Sequence, residues 1–139
     1  MDNLQVRRLA PREWAAAFPL IVQLRPHLDQ PEFQRRVERQ SFGGYELVGA
    51  FRDGRLIGVL GMRPVHTLMR GAHLHIDDIV VDESERNSGG GRALMAFAED
   101  DAKARGMTAV FLDAQQKAIG FYETIGFAMH TAPSMRKPL

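Results

Sequence analysis

The first third of the chain combines one short alternating segment with two helical patterns. Apolar and polar residues alternate over positions 4–9, which predicts a short strand. Pro11 then opens a helical pattern in which Pro19 is expected to kink or split the helix. Residues 29–31, Asp-Gln-Pro, predict the start of a second helix, because Asp is a favoured capping residue and Pro fits the first turn.

The middle of the chain is dominated by strand patterns. Two apolar runs, residues 45–51 and 56–62, flank Asp53-Gly54, a dipeptide typical of tight β-hairpin turns. A third, long strand is expected within residues 65–81, after a turn near Gly71. This stretch therefore predicts three consecutive strands of one sheet.

The last third returns to an alternation of helices and strands. A helical pattern over residues 93–105 ends at Gly106, a fully apolar strand follows at 109–112, and a second helical pattern covers 115–125. Residues 134–139 are expected to add a last edge strand. The order β-α-α-β-β-β-α-β-α-β predicts an α/β (α+β) fold in which helices flank a single mixed β-sheet.

Composition narrows the class of protein. A length of 139 residues, with 45% hydrophobic and 25% charged residues, predicts one soluble domain over residues 1–139. A net charge of +1 argues against a nucleic-acid partner, and no run is apolar enough for a membrane helix or a signal peptide. We therefore expect no nucleic acid or membrane as a partner, and a cytoplasmic location. The absence of cysteine excludes zinc-thiolate sites and a cysteine nucleophile.

The candidate chemistry begins with a glycine-rich turn between the apolar strand at 75–81 and the helix at 93–105. A strand, a glycine-rich turn and a helix in this order present free N–H groups at a helix N-terminus, where phosphate oxygens bind. A flexible loop is the alternative. The dinucleotide fingerprint fails at Leu94, and no Gly-Lys-Ser/Thr follows for a nucleotide P-loop. What remains is an R-x-x-G-x-G pattern, formed by Arg86, Gly89 and Gly91.

A second motif lies about thirty residues downstream, in the segment Phe121-Tyr122-x-x-x-Gly126-Phe127. Together, the two motifs and the strand ending in Ile79-Val80-Val81 resemble the GNAT superfamily of acyl-CoA-dependent N-acetyltransferases. The resemblance covers residues 45–130 well and the N-terminal helices loosely. Glu83 and Gln115 depart from the family, which commonly has proline and asparagine at these positions.

The resemblance implies a site for acetyl-CoA as co-substrate, with no metal. In the family, the glycine turn holds the coenzyme A pyrophosphate, and the end of the preceding strand pairs its backbone with the pantetheine amides. Gln115 and Phe121 of the downstream segment are expected to reach the coenzyme as well. The carried-over cofactor-binding residues are Ile79, Val80, Val81, Arg86, Asn87, Ser88, Gly89, Gly90, Gly91, Arg92, Gln115 and Phe121.

The resemblance also implies catalytic roles. Tyr122 occupies the family's position for the general acid that protonates the leaving thiolate, and a core tyrosine is the alternative. For the general base, the family alignment points to His75 and Asp77. Strand alternation places both on one face with Ile79 and Val81, and Asp78 on the other. Asp77 is therefore the first candidate and His75 the second; Asp78 is the third, because a bulge would change the phase.

Two further expectations complete the functional hypothesis. Same-face positions on a strand lie roughly 6.5–7 Å apart, so a metal site at His73, His75 and Asp77 is disfavoured. The acceptor is expected to be a small-molecule amine or a protein amine, bound between residues 24–42 and 129–134, with His27, Phe33 and Arg36 as lining residues.

The alternative function is a non-catalytic acyl-CoA-binding or regulatory module on the same fold. The resemblance is also compatible with a homodimer. In either reading the chain binds acyl-CoA, and only turnover distinguishes an acetyltransferase from a binding module.

Overall fold

The computed structural model describes residues 3–130 and 133–139. Its core is one five-stranded sheet in the order β1-β2-β3-β4-β5, in which neighbours are antiparallel except for the parallel pair β4–β5. The strands are β1 (Leu4–Arg8), β2 (Glu46–Arg52), β3 (Arg55–Thr67), β4 (Gly71–Val81) and β5 (Val110–Leu112). The helices are α1 (Trp14–Leu24), α2 (Gln30–Ser41), α3 (Gly90–Ala104) and α4 (Ile119–Thr124). The predicted mixed sheet flanked by helices is confirmed.

Helices cover both faces of the sheet, and each face has its own apolar core. On one face, buried residues of α1 and α2, among them Ile21 and Phe33, pack on Leu47, Val59 and Val80 of the strands. The core on the other face joins α3 to the sheet, and α4 packs against its border; its members include Ile57, Leu60, Leu74, Ile76, Leu94, Met95, Tyr122 and Ile125. The domain therefore has three layers, with the sheet in the middle.

The structure has the β2–β3 turn and the start of α2 where the local sequence predicts them. The β2–β3 hairpin turns at Asp53 and Gly54, whose φ angles of +51° and +81° are those of a type I′ turn. Helix α2 is capped by Asp29, whose carboxylate accepts a hydrogen bond of 2.8 Å from the Glu32 N–H. Short polar side chains and glycine therefore determined these boundaries locally.

Two details of the elements differ from the prediction. Helix α1 continues through Pro19, so the helix is not split there, because its buried residues hold it on the sheet despite the lost hydrogen bond. Residues 133–139 form no strand. All seven are exposed, and Pro138 cannot donate to a ladder, so this segment has neither a face to bury nor a full set of pairing groups.

Within the described residues, no helix has the length and apolar character needed to cross a membrane.

Candidate functional site

The glycine-rich turn ends in a helix N-terminus, as the sequence predicts. Gly89 precedes α3 with a φ of +93°, and Asn87 also adopts a positive φ, of +65°. The first hydrogen bond of the helix runs from the Ala93 N–H to the Gly89 carbonyl oxygen, over 3.0 Å. The N–H groups of Gly90 and Gly91 therefore have no carbonyl partner one turn earlier in the helix. These donors and the positive end of the helix dipole make a site suited to an anion.

The turn also lies directly against the sheet, and Gly90 makes this possible. A Cβ at Gly90 would be 3.3 Å from Ile57 Cδ1 and 3.5 Å from Val81 Cγ2. The contact with Ile57 would be tighter than a side chain normally makes, and the one with Val81 would be an ordinary van der Waals contact. Glycine at this position thus brings the helix N-terminus to the end of β4.

A clamp that the sequence did not reveal holds the turn to the β2–β3 hairpin. The Glu85 carboxylate accepts hydrogen bonds from Arg52 Nε at 3.2 Å and from Arg55 Nη2 at 2.9 Å. Arg52 Nη2 also donates to the Ser88 carbonyl oxygen at 2.8 Å, and the Ser88 hydroxyl donates to the Glu85 carbonyl oxygen. Arg52 lies 33 positions from Glu85 and 36 from Ser88 in the chain, so no local pattern could have identified this clamp.

Two arginines flank the turn on its exposed side. Arg86 and Arg92 are both exposed, and the Arg92 guanidinium lies 5.8 Å from the ring centre of Phe121. Arg86 makes no hydrogen bond or ion pair to another described residue. Phe121 thereby borders the turn, 3.8 Å from the position that a Cβ of Gly91 would take.

A slot opens where β4 and β5 part. The two strands are paired only at Leu74–Val110, His75–Phe111 and Ile76–Leu112, and β4 continues to Val81 beyond the last pair. The gap holds a cavity of about 160 Å³ that reaches from α1 on one face to α4 on the other; its lining includes Arg25, Asp77, Ile79, Leu112, Gln115 and Tyr122. The slot therefore brings Asp77 and Ile79 of β4 together with Gln115 and Tyr122 of the downstream segment. The Val80 side chain instead packs into the α1–α2 core.

Tyr122 reaches the slot from α4. Its ring packs edge-on against Phe121 and Phe127, at 5.4 and 5.8 Å between ring centres. The hydroxyl makes no hydrogen bond to another described residue. Burial raises the pKa of the phenol, so it stays protonated at neutral pH and can donate a proton into the slot.

The predicted phase of β4 is wrong beyond Asp77. The β3–β4 register shifts between Gly61 and Met62, which pair with Asp78 and Ile76, so Asp77 is an extra residue in a β-bulge. As a result Asp78 shares the cleft with His75 and Asp77, whereas Ile79 packs into the core on the opposite face. Alternation alone cannot detect an inserted residue.

Asp78 is held by two partners at the bulge. It accepts from Arg25 Nε at 3.0 Å and from the Tyr45 hydroxyl at 2.7 Å, and Arg25 Nη2 also donates to the Asp77 carbonyl oxygen at 2.9 Å. Tyr45 is only 5% exposed, and its burial raises the pKa of its hydroxyl. Its ring lies across Gly61, where a Cβ would fall 1.9 Å from the hydroxyl oxygen. Gly61 therefore makes room for the side chain that supports Asp78.

His75 and Asp77 form a second, looser pair. Asp77 Oδ2 accepts from Arg63 Nε at 2.7 Å, and Asp77 Oδ1 lies 3.7 Å from His75 Nε2. Burial lowers the pKa of His75, and the neighbouring Asp77 partly opposes that shift. His75 is thus neutral at pH 7 and able to accept a proton.

Both groups face a cleft of about 500 Å³ between the sheet and the first two helices. His27, Phe33 and Arg36 line it, together with Tyr45 and Gln40. The cleft and the slot share Arg25, Ile76, Asp77, Asp78 and Asp113 in their linings, so the two cavities meet at the bulge. In the segment 129–134, Thr131 and Ala132 lie outside the described residues.

In the described part of the chain, no three potential metal ligands come close enough to hold an ion. His73 stacks on Phe111 at 4.8 Å between ring centres, and its Nδ1 lies 3.2 Å from the Gly71 carbonyl oxygen.

Comparisons with known proteins identify the family of this chain. The model of the acetyltransferase (GNAT) family matches residues 7–127. Glucosamine 6-phosphate N-acetyltransferase of Trypanosoma brucei brucei is 35% identical over 79 residues, which are 55% of this chain and 54% of that enzyme. The alignment thus spans about half the length of this curated relative.

Solved structures of acetyltransferases share the fold over nearly the whole chain. A crystal structure of a Trypanosoma brucei acetyltransferase, 29% identical, superposes with a TM-score of 0.81 and covers 99% of this chain and all of that one. An aminoglycoside N-acetyltransferase in complex with CoA superposes with a TM-score of 0.86, over 99% of this chain and 96% of that one. At 16% identity, the second likeness concerns the fold alone.

Proposed function

Because this chain belongs to the acetyltransferase (GNAT) family, we propose that it transfers an acetyl group from acetyl-CoA to a primary amine by direct attack in a ternary complex. The observation that carries the proposal is the junction of two cavities at the β4 bulge. One cavity is the slot between β4 and β5. The other is the cleft under α1 and α2. A donor in the slot and an acceptor in the cleft meet beside Asp77.

The donor site combines backbone donors with a slot of suitable shape. The N–H groups at the start of α3 would hold the pyrophosphate, and the unpaired edge of β4 at residues 79–81 would pair with the pantetheine amides. Gln115 and Phe121 lie at the slot and the turn respectively. The proposed contacts with the coenzyme come mostly from backbone groups. Small residues at the turn leave these backbone groups accessible to the coenzyme.

The reaction needs one proton removed and one supplied. The amine nitrogen attacks the thioester carbon while His75 or Asp77 takes its proton, directly or through a water. The C–S bond then breaks, and the sulfur takes a proton from the Tyr122 hydroxyl. With no cysteine in the sequence, no acyl-cysteine intermediate is available.

A small-molecule acceptor is favoured over a protein amine. The cleft has the volume typical of small-ligand sites and is bounded on two sides by helices. The Trypanosoma relative is named for an amino-sugar phosphate, and the CoA-bound neighbour for aminoglycosides; both names describe small amines.

Binding of acetyl-CoA is expected to raise the melting temperature of the protein by several degrees. At a hundredfold excess over Kd, linkage contributes about 2.7 kcal/mol. In Arg52→Lys the charge remains but the contacts to both Glu85 and Ser88 cannot be kept, so Kd should rise about threefold to tenfold. Titration of both proteins by thermal shift measures this.

Arg55→Lys is the matched control, because Arg55 contacts Glu85 but not the turn carbonyl. Its Kd should stay within about twofold of the wild-type value. No shift of either protein at millimolar acetyl-CoA would contradict the donor site. Equal affinities of the two variants would contradict the role of the clamp.

The pH profile identifies the base. If His75 is the base, kcat/KM falls as the pH drops through its pKa, which burial places below the usual 6.5. Activity then persists further into acid than an ordinary histidine allows. Asp77→Asn removes the carboxylate that raises this pKa, so the acidic limb should move to still lower pH.

Asp77→Asn and His75→Ala together test whether Asp77 is the general base. If Asp77 is the base, Asp77→Asn lowers kcat about a hundredfold or more at every pH instead of moving the limb. His75→Ala then keeps most of the activity. Rates within twofold of wild type in both variants would show that neither group removes the proton.

A non-catalytic acyl-CoA-binding module is the alternative. It predicts the same thermal shift but no acetylated product with any amine.

A further inference from the structure

A further cavity, distinct from the slot and the cleft and of about 290 Å³, opens beside the acceptor cleft at the outer edge of the sheet. It lies along β5 and includes Arg70, Phe111 and His130 in its lining. His75 and Asp113 line both this cavity and the acceptor cleft. The cavity and the cleft therefore border each other at these two residues.

Arg70 lies in this cavity as a cation with no acidic partner. Its guanidinium carbon sits 4.3 Å from the ring centre of Phe111, and the residue is half-buried. Among the described residues, no carboxylate forms an ion pair with it, whereas Arg8, Arg25 and Arg63 each have one. Stacking on Phe111 holds the guanidinium in place without neutralising it. A guanidinium that is fixed in position and not ion-paired is suited to bind an anion.

Two other polar side chains, His130 and Asp113, complete the lining that concerns an anion. The His130 ring packs edge-on against Phe111 at 5.5 Å, so an imidazole and a guanidinium share one aromatic support. Of the described residues that line the cavity, Asp113 is the one carboxylate, and it lies on the side shared with the acceptor cleft. The one carboxylate of the cavity thus lies toward the cleft, and Arg70 and His130 lie together against Phe111.

We propose that the cavity around Arg70 binds an oxyanion carried by the acceptor, so that the acceptor is an amine with a phosphate or carboxylate group. This rests on the proposed acetyltransferase function. The ammonium end lies toward Asp77 and Asp113, where attracting charge is needed. The oxyanion end lies against Arg70, where a guanidinium can donate two parallel hydrogen bonds.

The kinetic test uses pairs of amines that differ only in an anionic group: glucosamine 6-phosphate and glucosamine, phosphoethanolamine and ethanolamine. The wild-type enzyme should prefer the anionic member in kcat/KM. In Arg70→Gln, kcat/KM for that member should fall about tenfold to a hundredfold. The value for the neutral member and the KM for acetyl-CoA should stay within about threefold. Arg39→Gln, an exposed arginine on α2, removes the same charge elsewhere and should change neither member.

A binding test separates this proposal from turnover. Inorganic phosphate is titrated into protein saturated with CoA, so that the glycine turn is already filled, and thermal shift is recorded. Saturable binding that is lost in Arg70→Gln and retained in Arg39→Gln supports the oxyanion site even if no amine is acetylated, which would count against the proposed function alone. Phosphate binding that Arg70→Gln leaves unchanged, or a preference for the neutral amines, overturns the oxyanion site while leaving acetyl transfer in place.

Discussion

Replacing Tyr122 with phenylalanine is expected to lower kcat by about 10²–10⁴ while acetyl-CoA affinity stays within about twofold. Tyr122 lines the slot between β4 and β5, and its hydroxyl makes no hydrogen bond to another described residue, so removal of the hydroxyl leaves no partner unsatisfied. The ring contacts with Phe121 and Phe127 remain in the variant. Only the proton supplied to the departing sulfur is lost.

Steady-state kinetics and a thermal-shift titration together check this prediction. A lower kcat with an unchanged Kd for acetyl-CoA assigns the hydroxyl to the chemical step. Thr124→Val is the control, because it removes a hydroxyl from the same helix that donates to the Phe121 carbonyl oxygen and lines neither the slot nor the cleft. Wild-type turnover by Tyr122→Phe would leave Tyr122 as a core tyrosine and remove it from the mechanism.

Gly61→Ala is expected to lower the free energy of unfolding by about 3–5 kcal/mol. The new Cβ would lie 1.9 Å from the Tyr45 hydroxyl oxygen and 2.6 Å from Cζ of the same ring. Because Tyr45 is buried, its ring cannot swing aside without displacing the α1–α2 core, and overpacking of this kind costs about 1–3 kcal/mol. The hydrogen bond to Asp78 is lost as well, and a bond to a charged group is worth about 1.5–3 kcal/mol.

Urea denaturation measures the change, and two further variants isolate its cause. Gly120→Ala is the control glycine, since nothing lies within 4 Å of its Cβ position in α4, and it should be neutral or slightly stabilising. In a Tyr45→Leu background, Gly61→Ala should cost at least 1 kcal/mol less than in the wild type. Stability of Gly61→Ala within about 1 kcal/mol of wild type would show that the strand accommodates the methyl group.

The effect of Gly61→Ala should extend to activity. Arg25 and Tyr45 both hold Asp78, and Arg25 also holds the Asp77 carbonyl oxygen, so loss of Tyr45 loosens the bulge on which Asp77 sits. Because the candidate base lies on that bulge, we expect kcat to fall at temperatures where the variant is still folded.

Local patterns predicted the parts of the site that belong to one segment of the chain. The glycine turn, the start of α3 and the position of Tyr122 on α4 follow from glycine, periodicity and motif spacing within about ten residues each. Asp53-Gly54 and Asp29 predicted their turn and cap for the same reason. In each case the determining contacts are near neighbours in the sequence.

Contacts between distant segments decided the rest. The bulge at Asp77 comes from the pairing of β4 with β3, and it alone brings Asp78 into the cleft. The same holds for the Arg52–Glu85 clamp and for Arg70 on Phe111, whose partners are far apart in the chain. The expected last strand is absent because a short segment becomes a strand only where it finds both a sheet edge to pair with and a face to bury, and all described residues from 133 to 139 are exposed.

By itself, then, the sequence predicted the order of the elements up to α4 and the unit of strand, glycine turn and helix, because hydrophobic periodicity and glycine conformations act over a few residues. The candidate acid on α4 came from the resemblance to the family, and its role stays a prediction. Only the tertiary structure decided which acidic groups face the acceptor, how the turn is held and where a cation is left without a partner. Strand register, burial and charge pairing depend on contacts between strands and helices from separate parts of the chain, and a periodic pattern within one segment does not specify those contacts.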